Sequence, residues 1–551
     1  MLLTNKNLKQ TFKIFDKYSY SLNRKEIALE RDKKLLIIKG NLYPDSKYNL
    51  DDLFDYLSNK SIDKTFKKFK GKYCGVFVDS KKNEVIIFND QLGLNDIFYY
   101  YKNGELIISD KFMDFFKIKS FGKKDLDLTA LAEFLLYEYA FLDRTFIKDI
   151  KLLRYGSLTF FLHEHIKTIN YWDYKFKENK QFSKKKSMKE LDILFKQSIQ
   201  RIHKLNPNKE FLIGLSGGLD SRIVAKYAIQ ENMKLHPFVF GNKNSDAFYI
   251  SKQIAKTLGL NLKQLVIKDD YWKWKDRHMG YDPMMNLMYT SYYSIVGDLD
   301  KDKIMLTGFN GDNLFGNHIK RRDFKRKIDI TDKIKKFYKL NINFMTSNKL
   351  NKYINNDLQK YNIKKISDWN RKELFNFENR QLKFIKNSPS FNFYGKFEEN
   401  YSMFADIDLV EFVLTLPLKE LYNSKIYHDF IKKYHQNLAQ IRLERKPYSL
   451  LDNAPIKMTK KLVFKLKQII KNKLGINLPF FNTLTYVGAL NWGYLFKQVN
   501  LKKEGKEINI FNVFYDKVLR LPNKNINNVR LKYHYLTIQN FLKGVLNEKK
   551  D

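Results

Sequence analysis

The first third of the chain carries the hydrophobic pattern of short β-strands. Apolar runs alternate there with turn residues, which is typical of strands joined by hairpins. Strands are predicted at 34–39, 73–78, 85–88 and 106–108, with 79–83 as a hairpin connection between the second and the third. Residues 128–142 carry Glu133 and Glu138 among apolar positions, which predicts an amphipathic helix.

After this region the pattern changes to alternating strands and helices. The polar stretch 175–186 is predicted to be a linker, and apolar residues from Met188 to Ile202 then recur at helical spacing. Strands are predicted at 211–215, 235–240, 262–267 and 303–306, helices at 221–231 and 246–258, and a longer helical segment before the last strand. This alternation predicts a parallel sheet covered by helices. Beyond residue 320 the chain is predicted to be mainly helical.

The composition narrows the class of protein. A chain of 551 residues, 44% of them hydrophobic, suits two or three folded domains better than one core or a disordered chain. No apolar run approaches the roughly 18 residues of a membrane-spanning helix, and the first residues lack the apolar core of a signal peptide. Cys74 is the one cysteine, which excludes internal disulfides and cysteine metal clusters. We therefore expect a cytoplasmic protein without a membrane span.

The formal net charge of +41 raises the alternative of a nucleic-acid-binding protein. The lysines are spread along the whole chain, however, and no zinc-finger, RNA-binding or repeat motif accompanies them. A solvated basic surface therefore explains the charge better than a nucleic-acid interface, and nucleic acid is an unlikely partner.

Residues Ser216 to Ser221 form the most informative motif, with the sequence Ser-Gly-Gly-Leu-Asp-Ser between a predicted buried strand and a predicted helix. Two glycines let the backbone approach an anion closely, and the free N–H groups of the following helix point towards it. A Walker-A loop would carry a lysine before its last serine, and this loop has none. Asp220 inside the loop fits phosphates chiefly through Mg²⁺. The motif predicts a phosphate-binding site.

This motif resembles the pyrophosphate loop of the ATP pyrophosphatases, and the surrounding chain resembles the asparagine synthetase family, which includes β-lactam synthetase and lasso-peptide macrolactam synthetases. The resemblance extends over about residues 30 to 450. Its other parts are Thr307–Asp312, which is similar to the second ATP-site motif, Glu399, Phe404–Asp406, Leu409–Phe412, Leu416–Pro417, and Arg445–Lys446, where the family carries its catalytic lysine.

The resemblance implies an amide ligase. A substrate carboxylate would attack the α-phosphate of ATP, and an amine would then displace AMP. Asp220 and Asp312 would share Mg²⁺, Lys446 would face the α-phosphate, and Glu399 would act as general base towards the amine. The residues expected around ATP and its pyrophosphate are Leu215, Ser216, Gly217, Gly218, Leu219, Asp220, Ser221, Val239, Phe240, Thr307 and Gly308. Of these, Leu215, Val239, Phe240, Thr307 and Gly308 are expected around adenine.

The resemblance also implies a fold: an α+β N-terminal domain of the Ntn-glutaminase type over 1–180, an α/β ATP-pyrophosphatase domain over 187–460, and a helical C-terminal extension over 461–551. Residues 71–75, 89–93 and 98–100 are similar to the core of the glutaminase fold. Glutamine-dependent relatives use an N-terminal cysteine as nucleophile, whereas this chain has Leu2 after the initiator Met1 and its cysteine inside a predicted strand. The N-terminal domain is therefore predicted to be a degenerate glutaminase.

A second departure concerns the substrate. Asparagine synthetases carry a glutamate where this chain has Phe309, and Tyr401 and Met403 replace an arginine and a proline. A small-molecule or peptide carboxylate, with an amine of its own or one delivered by a partner protein, fits these changes better than aspartate. Two alternatives stay open: a pseudoenzyme that binds nucleotide or a partner, and a nucleic-acid-modifying enzyme with the same loop.

Overall fold

The computed structural model describes the chain in blocks separated by short and long gaps. The described residues are 1–4, 12–14, 18–21, 26–59, 64–162, 165–241, 245–266, 299–300, 302–319, 334, 348–361, 368–387, 399–444, 446–474, 531, 534–538 and 541–542. Two antiparallel sheets and one parallel sheet run through these residues.

The two antiparallel sheets form the N-terminal domain. Their strands are β1 Leu2–Thr4, β2 Phe12–Ile14, β3 Tyr18–Ser21, β4 Glu26–Arg31, β5 Lys34–Leu42, β6 Gly71–Asp79, β7 Glu84–Asn89, β8 Phe98–Lys102, β9 Glu105–Ser109, β10 Ile150–Leu152, β11 Ser157–Leu162 and β12 His165–Asn170. One sheet has the order β10-β8-β9-β1-β3-β2 and the other has the order β12-β11-β7-β6-β5-β4. The strands predicted at 34–39, 73–78, 85–88 and 106–108 are thus confirmed.

Both faces of the central strands β5, β6 and β7 of the second sheet are largely buried, which explains their continuous apolar runs. On β5, Leu35 and Ile37 pack in a cluster between the two sheets, whereas Leu36 and Ile38 pack in the large core shared with the rest of the protein. Alternate side chains of a strand point to opposite faces, so each face of β5 contributes to a different core. Cys74 lies in the cluster between the sheets.

Three helices accompany these sheets: α1 Leu50–Ser58, α2 Asp114–Ile118 and α3 Leu128–Tyr137. The prediction of an amphipathic helix over 128–142 was wrong in two respects. The helix ends at Tyr137, because Glu138 adopts a left-handed conformation with φ of 76°. Glu133 is buried, and its carboxylate accepts a hydrogen bond of 2.8 Å from the Phe141 backbone N–H, so α3 is a core helix.

The parallel sheet forms the second domain. Its strands are β13 Phe211–Gly214, β14 Leu235–Gly241, β15 Lys263–Val266, β16 Ile304–Thr307 and β17 Asn400–Ser402, in the order β15-β14-β13-β16-β17. The helices around it are α4 Lys184–Leu205, α5 Leu219–Gln230, α6 Asp246–Leu258 and α7 Gly311–Leu314. The predicted alternation is confirmed, although α4 begins inside the predicted linker. The helical segment predicted before 303 lies outside the described residues.

Helices dominate the described residues beyond 320, as predicted. They are α8 Asn348–Gln359, α9 Asp368–Phe375, a π-helix at Asn376–Ile385, α10 Ile407–Val413, α11 Leu418–Leu421, α12 Lys425–Tyr434, α13 Gln436–Ala439 and α14 Ala454–Leu474. Strand β17 was not predicted, because three residues are too short to show a period. Helix α14 runs across the predicted boundary at 460.

Residues near the C-terminus pack on the N-terminal domain. Tyr535, Ile538 and Phe541 join a cluster with Phe134 of α3 and Phe146. His534 adds polar contacts, because its Nδ1 lies 2.9 Å from the Leu135 carbonyl oxygen. This part of the predicted extension therefore belongs to the packing of the first domain. Among the described helices, none has the length and apolarity needed to cross a membrane.

Candidate functional site

Two loops leave the same edge of the parallel sheet and meet there. Strands β13 and β16 are parallel neighbours, with Ile213 opposite Leu306. Ser216–Ser221 follows β13 and Gly308–Asp312 follows β16, at the carboxyl ends where open α/β sheets bind ligands. The structure thus brings together the two motifs that the sequence places about ninety residues apart.

The first loop is built to present the N-terminus of α5. Gly218 is the N-cap of this twelve-residue helix, and its backbone N–H donates to Ser216 Oγ over 3.1 Å. Ser216 Oγ also lies 3.2 Å from Ser221 Oγ. Gly217 is packed so closely that a Cβ there would lie 2.9 Å from Glu444 Cβ. The first turn of α5 keeps free N–H groups, which suits an anion.

Asp220 is the contact between the two loops. Its Oδ2 accepts a hydrogen bond of 2.9 Å from the Asp312 backbone N–H. A Cβ on Gly308 would lie 2.8 Å from Asp220 Cβ, and a Cβ on Gly311 would lie 2.4 Å from Asp220 Cγ. Both glycines are therefore needed for the close approach of the second loop to this carboxylate.

The two carboxylates create a site that favours a cation. Burial, and next the nearby Asp312 carboxylate, raise the pKa of Asp220 well above its ordinary value. Within the part of the chain that the structure describes, Asp220 Oδ1 is buried and has no hydrogen-bond partner. No group of three or more His, Cys, Asp or Glu side chains that could hold a metal occurs in the described residues. Asp220 and Asp312 therefore fit a Mg²⁺ that takes its remaining ligands from phosphates and water.

Arg222 fixes the first loop to a distant segment. This side chain is 0% exposed and donates to the carbonyl oxygens of Gly217 and Gly218 in the loop. It also donates to the carbonyl oxygens of Leu438, Ile441 and Arg442, over 2.7 to 3.0 Å. Burial lowers the pKa of Arg222 to about 10, which still leaves the guanidinium charged at neutral pH.

Lys446 lies on the segment that Arg222 holds. The Glu444 N–H donates to the Gly217 carbonyl oxygen over 3.2 Å, and the Lys446 N–H donates to Leu443 over 3.1 Å. Arg442 Nη1 donates to the Lys446 carbonyl oxygen over 3.3 Å. The Lys446 side chain is exposed. Burial, followed by the charge of Lys446, lowers the pKa of His428 in α12 to about 4.

The residues predicted around adenine lie at the expected edge, but not all of them face outwards. Leu215 is 0% exposed; its N–H donates to the Phe238 carbonyl oxygen over 2.8 Å, and its carbonyl accepts from Ser251 Oγ. Leu215 therefore lies behind the loop with its backbone groups in use. Val239 is buried and Phe240 is half-buried near the end of β14.

Glu399 lies at the amino-terminal ends of the parallel strands, opposite to the ends where the two loops begin. Its carbonyl oxygen accepts from the Met305 N–H, which places it level with the start of β16 and β13. Four residues of strand separate this level from Leu215, or about 13 Å. The Glu399 carboxylate lies 3.7 Å from Lys72 Nζ, in the contact between the domains. The structure does not bring Glu399 to the loops.

The three residues that are expected from the sequence to depart from asparagine synthetases are all core residues. Phe309, Tyr401 and Met403 are at most 6% exposed. The Phe309 carbonyl oxygen accepts from Ser402 Oγ over 2.7 Å, and Lys72 Nζ lies 4.9 Å from the centre of the Tyr401 ring. These side chains shape the site from behind, and none of them lines it directly.

Sequence reasoning missed two residues of the site. Arg222 directly follows the loop, but no pattern distinguishes it from the many other basic residues of this chain. Tyr427 in α12 acts on Asp220 from about two hundred residues further along the chain, and it raises no local signal at all. Only the fold reveals both contacts.

Each of the two domains contains a segment that matches a known protein family. Residues 56–172 match the glutamine amidotransferase domain family, and residues 191–388 match the asparagine synthase family. The second match includes both loops and stops before Glu399 and Lys446. The chain is also 24% identical over 350 residues to the Methanocaldococcus jannaschii protein named "Putative asparagine synthetase (glutamine-hydrolyzing) 2". That match covers 54% of this chain and 63% of the relative, which is less than two thirds of its length.

Solved structures show only weak likeness. NMN synthetase from Francisella tularensis is 17% identical, with 25% of this chain and 59% of that chain covered and a TM-score of 0.18. Glutamine PRPP amidotransferase from B. subtilis is 11% identical, with 51% and 64% covered and the same TM-score. Scores this low carry no conclusion. The two domain matches and the Methanocaldococcus jannaschii relative support a conclusion about the family. The chain belongs to the asparagine synthase family with an N-terminal glutamine amidotransferase domain.

Proposed function

We propose that this protein is an ATP-dependent amide ligase that forms AMP. A substrate carboxylate oxygen attacks the α-phosphorus of ATP and pyrophosphate leaves, which gives an acyl-adenylate. The amine nitrogen then attacks the acyl carbon, AMP leaves with the carboxylate oxygen, and the amine loses a proton. The hydrogen bond from the Asp312 N–H to Asp220 carries this proposal, because it joins both nucleotide motifs at one ligand-binding edge.

Each group of the site has a role in that reaction. The first turn of α5, with Ser216 and Ser221, binds the β- and γ-phosphates that leave as pyrophosphate. Asp220 and Asp312 would hold Mg²⁺, which, when bound, neutralises negative charge on those phosphates. Lys446, tied to the loop through Glu444, stabilises the charge that develops on the α-phosphate.

We propose further that the amine does not come from glutamine hydrolysis in this chain. Cys74 is 0% exposed in β6, and its Sγ lies 3.7 Å from the Asp96 carbonyl oxygen. Burial raises the pKa of the Cys74 thiol to about 12, so the thiolate nucleophile is not populated at neutral pH. The amine is then part of the substrate or arrives on a partner protein.

One assay tests the proposed function. The protein is incubated with ATP, Mg²⁺ and a panel of small-molecule and peptide carboxylates, with either ammonium or glutamine as nitrogen source. We expect AMP and pyrophosphate to appear only with a carboxylate, and no glutamate to form from glutamine. ADP as product would contradict the reaction, and glutamate release would contradict the loss of glutaminase. Tight nucleotide binding with no turnover for any carboxylate would support the pseudoenzyme instead.

The position of Glu399 gives a second test. We expect Glu399→Gln to keep kcat/KM within about fivefold of the wild-type value, because the side chain lies at the end of the strands away from the two loops, where it pairs with Lys72. Lys72 Nζ retains the Asn400 carbonyl oxygen at 2.7 Å. A loss of a hundredfold or more would restore Glu399 as the general base.

A further inference from the structure

Tyr427 is a buried tyrosine whose hydroxyl is not used by the fold. The side chain is 2% exposed, and its ring stacks on Phe315 at 4.4 Å between centroids with an angle of 10°. Edge contacts with Phe195 and Phe404 fix the ring further. In the described part of the chain, the Tyr427 hydroxyl has no hydrogen-bond partner. A buried hydroxyl without a partner is unfavourable, so its O–H is available to a neighbouring acceptor that comes within reach.

The Tyr427 ring lies beside the nucleotide site, because it stacks on Phe315, which is three residues after Asp312. Burial, and then the charges of Asp220 and Asp312, raise the pKa of the Tyr427 hydroxyl well above its ordinary value. The hydroxyl in turn opposes the rise in the pKa of Asp220. Asp220 Oδ1, like the hydroxyl, is buried and lacks a hydrogen-bond partner among the described residues. A buried donor, the Tyr427 hydroxyl, and a buried acceptor, Asp220 Oδ1, thus lie without hydrogen-bond partners among the described residues, beside the site that fits Mg²⁺.

We propose that Tyr427 is a positioning residue for the cation site: when a cation is bound, its hydroxyl donates a hydrogen bond to the Asp220 carboxylate and so orients it. This inference rests on the proposed function. A hydroxyl on a ring fixed by Phe315 supplies a donor at a set position, and outer-shell donors of this kind orient the ligands of a metal. Gly308 and Gly311 already press on the other side of Asp220, so the carboxylate is held from both sides.

The test uses Tyr427→Phe and, as matched control, Tyr227→Phe. Tyr227 is also 2% exposed, but its hydroxyl donates to Asp192 Oδ1 over 2.5 Å. Binding of Mn²⁺ is measured by electron paramagnetic resonance in the presence of α,β-methylene-ATP, which cannot be cleaved between those phosphates. The melting temperature of each full-length protein is measured without metal or nucleotide.

We expect Tyr427→Phe to weaken Mn²⁺ binding about ten- to a hundredfold, the value of a hydrogen bond to a charged group, and to leave the melting temperature unchanged or higher. Tyr227→Phe should lower the melting temperature and leave Mn²⁺ affinity unchanged. Equal Mn²⁺ affinity in wild type and Tyr427→Phe would overturn the positioning role alone. A melting temperature lowered as much as in the control would show a structural role instead. Wild-type protein that binds no Mn²⁺ would overturn the proposed function and this inference with it.

Discussion

Asp220→Asn is expected to lower the rate of AMP and pyrophosphate formation by on the order of a thousandfold while leaving the fold intact. The amide oxygen of asparagine can still accept the Asp312 N–H, so the loops stay joined. The charge that would hold Mg²⁺ is lost, however. The measurement is the initial rate of AMP and pyrophosphate formation at saturating ATP, for the wild-type and variant proteins.

The same substitution should raise the stability of the ligand-free protein. Asp220 is a buried carboxylate beside a second carboxylate, which is an unfavourable arrangement without a cation. Thermal unfolding without Mg²⁺ is expected to show a higher melting temperature for Asp220→Asn. Asp300→Asn, at an exposed position on the far side of β16, serves as control and should change neither quantity. Retained turnover in Asp220→Asn would mean that the site lies elsewhere.

Arg222→Met is expected to lower the free energy of unfolding by about 3 to 5 kcal/mol. Methionine fills a similar volume but removes five hydrogen bonds to carbonyl oxygens, three of them on residues 438–442, while the Gly217 oxygen keeps the Glu444 N–H. Buried acceptors that lose their partner are far more costly than the net value of the hydrogen bonds suggests. Urea unfolding followed by circular dichroism measures the change.

Two further variants separate this effect from a general loss of charge. Arg222→Lys keeps the charge but cannot reach all five carbonyl oxygens, so its stability should fall between wild type and Arg222→Met. Lys226→Met, one turn further along α5 and partly exposed, should change stability by less than about 0.5 kcal/mol. An Arg222→Met protein as stable as this control would contradict the role assigned to Arg222.

Arg222→Met should also reduce activity beyond the fraction of protein that unfolds. Lys446 is held near the loop through the segment that Arg222 ties down. Once this segment moves, the lysine no longer lies at a fixed distance from the α-phosphate, and small errors of position lower rates strongly. We expect kcat to fall more than the KM for ATP rises.

The nucleotide loop shows how far sequence alone can reach. Strand β13, its two glycines and helix α5 form one continuous segment, and the apolar run, the glycines and the helix start are all local signals. The strands and helices around it were predictable for the same reason. The burial of Glu133 was not predictable, because a carboxylate in an apolar run gives no sign of whether the fold will bury it and supply a backbone donor.

The positions of the motifs relative to one another could not be predicted from the sequence. Glu399 and Lys446 both occur in motif order, yet the parallel pairing of β16 with β17 puts Glu399 at the edge away from the loops. Three residues of strand are too few to show a register, and the register decides at which edge a flanking side chain lies.

The sequence by itself determined the two fold classes, the nucleotide loop and the family, because each is recognised from runs or motifs that are individually local in the chain. The tertiary structure decided which distant residues complete the site. The contact of Asp312 with Asp220, the three hydrogen bonds of Arg222 to residues 438–442 and the approach of Tyr427 to Asp220 each join separate segments. Long-range contacts of this kind arise from packing and sheet order, which leave no pattern in either segment alone.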